Sequence, residues 1–521
     1  MKPHPFLLTC LGIALFTSTQ SFSKAAEKPN IVFILIDDMP WFGTSVRMDA
    51  DLPESAMAFR NMPHVEKLAE QGMIFRNARA AAGMCAPSRC SIMTGMMTAR
   101  HLYSGNGGFG PKSDGTVEYM SRKADLKMPL LQPEPQGNIR FPSIGDVLKA
   151  EGYATAHFGK WHLYGGGPAE HGFDESDGET DNKTFRPAED PVTGKKSDTS
   201  DDPKFIFSIT ERSIDFIERQ AKADKPFFVQ LSHYACHAFY QARQSTLEKN
   251  AKNPVFEQVD NPRERTEAIL GAAMAEDLDT SIGMVQTKLE ELGIAENTFV
   301  VFTSDNGYHG WNESYEPLRG AKWWLWENGV RVPMIVRGPG IAAGSRTAAN
   351  VIGYDFLPTF ADLAGASEHL SKDIDGVSFK PVLLGESLPD SYLNRPLYFH
   401  YPHYRVSPPV SAIVIGDTKL LHFYEWPDEN FVYDLKKDLE ERSNIAGSDA
   451  ERTARMHEQL MDRLKAVGAY FPKPNPDADP EVKRYDPNDL ADQGEGGDPE
   501  AGGSEKKGKR KPKEGPPKQK E

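Results

Sequence analysis

Four short apolar runs constrain the fold of this chain most: NIVFILI (30–36), KPFFVQLSHY (225–234), TFVVFTS (298–304) and RVPMIVRG (331–338). Runs of this kind sit buried on both faces of a largely parallel sheet. Between them the period changes. MPHVEKLAEQGM (62–73) reads as helix, and so does 265–292, where Ile269, Ala272, Ala273, Ile282, Val285 and Leu289 recur at helical spacing. Strands alternating with helices predict an α/β architecture, a large mostly parallel central sheet flanked by helices.

After about residue 395 the texture changes. SAIVIGDTKLLHFY (411–424) and NFVYDL (430–435) read as antiparallel strands, with a closing helix from about 450 to 467. The expected organisation is a leader (1–26), a main α/β domain (27–395), a small C-terminal antiparallel-sheet subdomain (396–470) and a charged tail (471–521). The tail ends in EKKGKRKPKEGPPKQKE and is too polar to bury a core, so it is expected to be disordered. It is either simply solvated or a tether to anionic surfaces. Turnover of a small substrate is expected not to need it.

Residues 1–26 read as an export signal, with Lys2 at the positive start, Phe6 to Phe16 as the apolar stretch and Ser23-Lys24-Ala25 as the cleavage site. That stretch is too short to span a membrane, and no later apolar run reaches about 18 residues. The expectation is an exported protein, periplasmic or extracellular, without an integral membrane segment. Removal of Cys10 leaves Cys85, Cys90 and Cys236, too few for a disulfide-built fold in 521 residues. The odd number suggests a separate fate for at least one of them. A formal net charge of −15 argues against general nucleic-acid binding; any polyanion needs a local basic site.

In open α/β sheets, sites form at the carboxyl ends of strands. Here NIVFILI runs into Asp37-Asp38, and TFVVFTS runs into Asp305-Asn306-Gly307. Either motif alone is usually a turn. Together they deliver three carboxylates and an amide to one sheet edge, and such hard oxygen donors suit Ca²⁺ or Mg²⁺. YATAHFGKWHL (153–163) places Lys160 and His162 on one side of an extended segment. KPFFVQLSHYACHAF ends near His237, and RGAKWWLWENGVRVP (319–333) adds Lys322. Trp323, Trp324 and Trp326 beside it read as core before sugar platform.

Cys85 opens CAPSRCSIMTG, just before a predicted helix with Pro87 near its first position. The helix dipole and Arg89 favour an anion there. No second Cys/His set has zinc spacing. Thiol catalysis stays open, because such a setting lowers a thiol pKa. A thiolate nevertheless matches a hard cation poorly, and an oxygen nucleophile fits better.

CAPSRCSIMTG resembles the signature of the type I sulfatases at every specified position: Cys-x-Pro-Ser-Arg, three residues, then Leu/Met-Thr-Gly. GKWHL, SDNG and RGAKWWLWENGVRVP resemble further blocks in the family's order, and the resemblance extends from about residue 28 to 467. It implies an alkaline phosphatase-like fold and conversion of Cys85, by a formylglycine-generating enzyme, to Cα-formylglycine, which hydrates to a diol. It implies Ca²⁺ held by Asp37, Asp38, Asp305 and Asn306, with the Cys85-derived diol. Arg89 and Lys160 would hold the diol oxygens, and Asp305 would accept a proton. His237 and Lys322 would bind sulfate and protonate the leaving oxygen, and His162 would take the proton of the second hydroxyl.

Relatives often read Pro-His-x-Pro where this chain has Cys236-His237-Ala238-Phe239, which puts that loop's shape in question. His400, His403 and Arg405 in FHYPHYR (399–405) lie near the domain junction, where the family often recognises substrate; a structural aromatic-rich strand is the alternative. The implied substrate is a sulfated carbohydrate. The competing readings are a phosphodiesterase or phosphonate monoester hydrolase of the same superfamily, and a non-catalytic glycan-binding protein.

Overall fold

The computed structural model describes residues 28–105, 128–131, 139, 141–181, 201–238, 240–309, 318–404, 406–481 and 484–489. The leader lies outside them. The central sheet has eight strands, in the order Ser345–Thr347, Met73–Phe75, Met334–Arg337, Thr298–Ser304, Asn30–Ile36, Phe227–Ser232, Ala154–Gly159 and Glu175–Ser176. All neighbours pair parallel except Met334–Arg337, which runs antiparallel to both of its partners.

Side chains alternate across a strand, and the central one shows what its unbroken apolar run is for. Val32, Ile34 and Ile36 enter one core, and Ile31, Phe33 and Leu35 enter the core on the opposite face. The first face is covered by helices Pro63–Gln71, Ile206–Lys222 and Pro262–Glu291. The second is covered by Cys85–Thr94, Ile144–Ala150 and Phe356–Ala364. The long helix begins where it does because the Asn261 side chain accepts from the Arg263 and Glu264 amides and Pro262 needs no partner for a missing N–H.

A separate antiparallel sheet, Leu397–Tyr401, Val410–Ile415, Thr418–Phe423 and Phe431–Asp434, carries the helix Ala450–Ala466, which buries Met456, Leu460 and Leu464. Its core extends into the main domain through Trp323, Trp324 and Trp326, so the tryptophans join the two layers. Beneath them lies a wholly buried ionic group. Glu327 takes Arg79 at 2.9 Å, Arg331 at 2.6 Å and Lys419 at 3.0 Å, and Lys419 also reaches Glu441 at 2.8 Å.

The expected disordered tail needs correction at its start. Lys473–Pro474 pairs with Leu130–Leu131. Tyr485 is buried, with its ring 4.7 Å from that of Trp324, and its carbonyl accepts from Trp426 Nε1 at 2.8 Å. A single aromatic in a polar segment has no periodicity to reveal it, yet it docks the chain through residue 489. Residues 490–521 lie outside the described residues.

Candidate active site

Strand ends supply the site. Asp37 and Asp38 follow Asn30–Ile36, and Asp305 and Asn306 follow the neighbouring Thr298–Ser304 in matched register. Cys85 is the first residue of the helix Cys85–Thr94, not the residue before it, and Pro87 is therefore its third. One ligand atom each from Asp37, Asp38, Cys85 and Asp305 lies within 4.8 Å of the others. The Cys85 thiol donates to Asp37 Oδ1 at 3.4 Å and to Asp38 Oδ1 at 3.7 Å.

Cations surround these carboxylates. Lys160 Nζ donates to Asp37 Oδ2 at 2.6 Å, Arg89 Nε to Asp305 Oδ2 at 2.8 Å, and Lys322 Nζ to Asp38 Oδ2 at 2.9 Å. Arg89 Nη1 also donates to the Lys160 carbonyl at 2.7 Å, which ties two strand ends together. Lys322 is delivered by a close backbone crossing. The Gly307 amide donates to the Gly329 carbonyl and Lys322 N to the Tyr308 carbonyl; a Cβ on Gly307 would stand 2.0 Å from the Asn328 oxygen.

Burial is the largest influence on these groups. It raises Asp37, but Lys160, His237, Arg89 and Lys322 together hold that carboxyl well below its usual range. Burial, with Asp37 and Asp38 beside it, pushes Asp305 up to about 6 against Arg89 and Lys160. The Cys85 thiol is pushed well up by burial, against Lys160 and Lys322, which speaks against the thiolate alternative.

The donor set fits a hard cation. Three carboxylates converge, and Asn306 Oδ1 is buried without a hydrogen-bond partner, while its Nδ2 donates to Asp38 Oδ1 at 2.7 Å. Three permanent cations balance three carboxylates, so the group is neutral; a bound divalent cation would leave it positive and ready for an anion.

Two histidines stand over Asp38. His237 Nε2 is 3.7 Å and His309 Nε2 is 3.6 Å from Asp38 Oδ2, with the rings 5.4 Å apart. His237 Nδ1 donates to the Ala238 carbonyl at 2.7 Å, which leaves Nε2 facing the site, and burial lowers the ring's pKa to about 3. His162 is buried with Nε2 3.1 Å from Asp181, and burial followed by Lys160 holds it well below its ordinary value.

Sequence reasoning missed His309, whose only signal is its place three residues after Asn306. It also missed Lys204, whose buried ammonium donates to the His237 carbonyl at 2.8 Å.

The other candidates lie elsewhere. His400 is a correction: its Nδ1 meets Ser411 Oγ at 2.7 Å and its Nε2 the Tyr470 carbonyl at 2.8 Å, so neither nitrogen is left for a substrate. His403 is buried with Nε2 2.6 Å from Ser104 Oγ. Residues 399–404 are thus a structural strand and its exit. Arg405 lies outside the described residues.

The sheet edge thus holds carboxylates, fixed cations and a buried cysteine together. The model of the family described as Sulfatase matches residues 29–366, and that described as N-sulphoglucosamine sulphohydrolase, C-terminal, matches 309–469. The chain belongs to the sulfatase family and is a sulfuric ester hydrolase. It is 28% identical to a sulfatase of Formosa agariphila over 87% of this chain and 91% of the relative. It is 24% identical to the N-acetylglucosamine-6-O-sulfatase of Bacteroides thetaiotaomicron over 91% and 92%. The solved structure of Ps i-CgsB with k-i-k-neocarrahexaose shares the fold at a TM-score of 0.66 and 22% identity, over 85% of this chain and 95% of that one. No helix among the described residues is long and apolar enough to cross a membrane.

Proposed function

We propose that this exported enzyme removes sulfate from a sulfated poly- or oligosaccharide, using Ca²⁺ and a formylglycine made from Cys85 by a formylglycine-generating enzyme. The observation that carries the reading is a neutral, buried cysteine in contact with Asp37 and Asp38, where a metal-directed oxygen nucleophile is needed. Relatives named for 6-sulfated N-acetylhexosamines support a sugar substrate.

Asp37, Asp38, Asp305 and the Asn306 oxygen would hold the cation, which supplies polarisation of the sulfate oxygens. The hydrated formylglycine would supply a pair of hydroxyl groups in place of the thiol. Arg89 and Lys160 would fix that residue's oxygens, and Asp305 would accept the attacking hydroxyl's proton. Lys322 and His237 bind the ester, whose negative charge favours their protonated forms, and donate to the departing alcohol oxygen. His162 takes the proton of the second hydroxyl.

Aryl sulfate turnover by protein made with the maturing enzyme is the test, together with peptide mass spectrometry at residue 85. Active protein carrying an unmodified thiol refutes the reading, as does full activity after chelation. Faster turnover of an aryl phosphodiester would move the assignment to phosphodiester hydrolysis. Cys85→Ser should stop after one turnover, because a sulfated serine has no second hydroxyl.

A further inference from the structure

One pocket shares Asp38 with the site and takes no part in the chemistry above. Its wall is aromatic, from Phe59, Tyr240 and Tyr308, and its further charged groups are Arg60 and Glu267. Arg60 is only 8% exposed. Its Nη1 donates to the Gly43 carbonyl at 2.5 Å, and its Nε is buried with no hydrogen-bond partner. Asp38 and Glu267 line the same pocket. A buried donor left without an acceptor is unfavourable, so Arg60 Nε, in a pocket that shares Asp38 with the reacting centre, is free to take an oxygen from outside. Gly271 forms the floor of the pocket in close contact with these groups: a Cβ there would stand 3.5 Å from the Tyr240 ring and 3.7 Å from Arg60 Nη2.

We propose that Arg60 binds a second anionic substituent of the substrate, a carboxylate or a further sulfate. This rests on the sulfated-sugar reading. The planar fork of Arg suits paired oxygens of either anion.

The experiment compares kcat/KM of the matured enzyme on an aryl sulfate, on 6-sulfated N-acetylhexosamines, on the same sugars bearing a second sulfate, and on the same sugars joined to a uronate. Wild-type enzyme should prefer one doubly anionic series, and the preferred arm identifies the anion. Arg60→Met should reduce that preference by roughly thirtyfold, the scale of an unpaired buried charge. Gly271→Leu, which crowds Arg60 and the Tyr240 ring, should reduce it in the same sense. No preference in wild-type enzyme, or an equal loss on every substrate in both variants, overturns the proposal. If Arg60→Met does not fold, the wild-type preference and the Gly271→Leu variant decide it by the same criteria. Aryl sulfate turnover by wild-type enzyme reports the sulfatase reading separately, so the two failures are distinguishable.

Discussion

Asp38, His162 and Trp323 hold φ values of 60°, 56° and 72°, in the left-handed region that side-chain-bearing residues rarely enter. Such strain, about 1–3 kcal/mol per residue, gathers where a site needs side chains aimed in ways a relaxed backbone does not allow. The sequence identifies Asp37, Asp38, Asp305 and Asn306 because each follows an apolar run, and Cys85 and Arg89 because they share a motif. It cannot identify Lys204, which reaches the His237 loop from a segment with no pattern of its own. That lysine holds the loop where prolines flank the histidine in many relatives, and burial brings its ammonium down to about 8. Lys204→Met is expected to lower kcat about tenfold, as lost support of a catalytic group does. Lys204→Arg should recover part of it. Steady-state kinetics on an aryl sulfate, with thermal unfolding alongside, separate a displaced His237 from a destabilised fold.

The elements were more legible than the residues between them. Asn30–Ile36 and Thr298–Ser304 match their apolar runs end to end. The antiparallel direction of Met334–Arg337 left no trace, because a strand buried on both faces reads alike in either direction. Nor could spacing show that Arg79, Glu327, Arg331, Lys419 and Glu441 meet, since their contacts join four separate stretches of chain. Glu327 is held well below the carboxylate range: burial alone would raise it, but Arg79, Lys419 and Arg331 prevail. Breaking a buried ionic group from one side leaves charge uncompensated. Lys419→Met should therefore destabilise the protein by about 3–5 kcal/mol, read as a lower Tm, with less effect from Arg442→Ala at the exposed surface nearby.

For the whole molecule, the chain past residue 470 is part of the fold as far as Pro487, whose carbonyl accepts from Arg319 at 2.8 Å. Truncation after residue 489 should leave stability and aryl sulfate turnover intact. Truncation after residue 470 removes Tyr485 from Trp324 and should lower stability by about 3 kcal/mol or more, as chemical denaturation would show. Stability should also fall in mild acid. Burial lowers His101, His157 and His233 to about 3 each, so between that value and about 6.5 the unfolded chain binds more protons than the folded one. Their full contribution is present above about pH 6.5 and fades as pH drops toward 3, by up to about 1.4 kcal/mol per pH unit for each histidine. Unfolding measured from pH 8 to pH 5 in His157→Gln should show a shallower slope than wild type.

Cys85 has no exposed surface, and every residue of its helix is buried. Another enzyme cannot grip a peptide that lies inside a finished globule. Under the proposed maturation, modification is a race that the chain's own folding ends. Each molecule settles its fate once, during synthesis and export, and one that folds first keeps an inert thiol for its lifetime. Preparations would then be fixed mixtures of competent and incompetent molecules, and their specific activity would record how the two rates compared in the cell that made them.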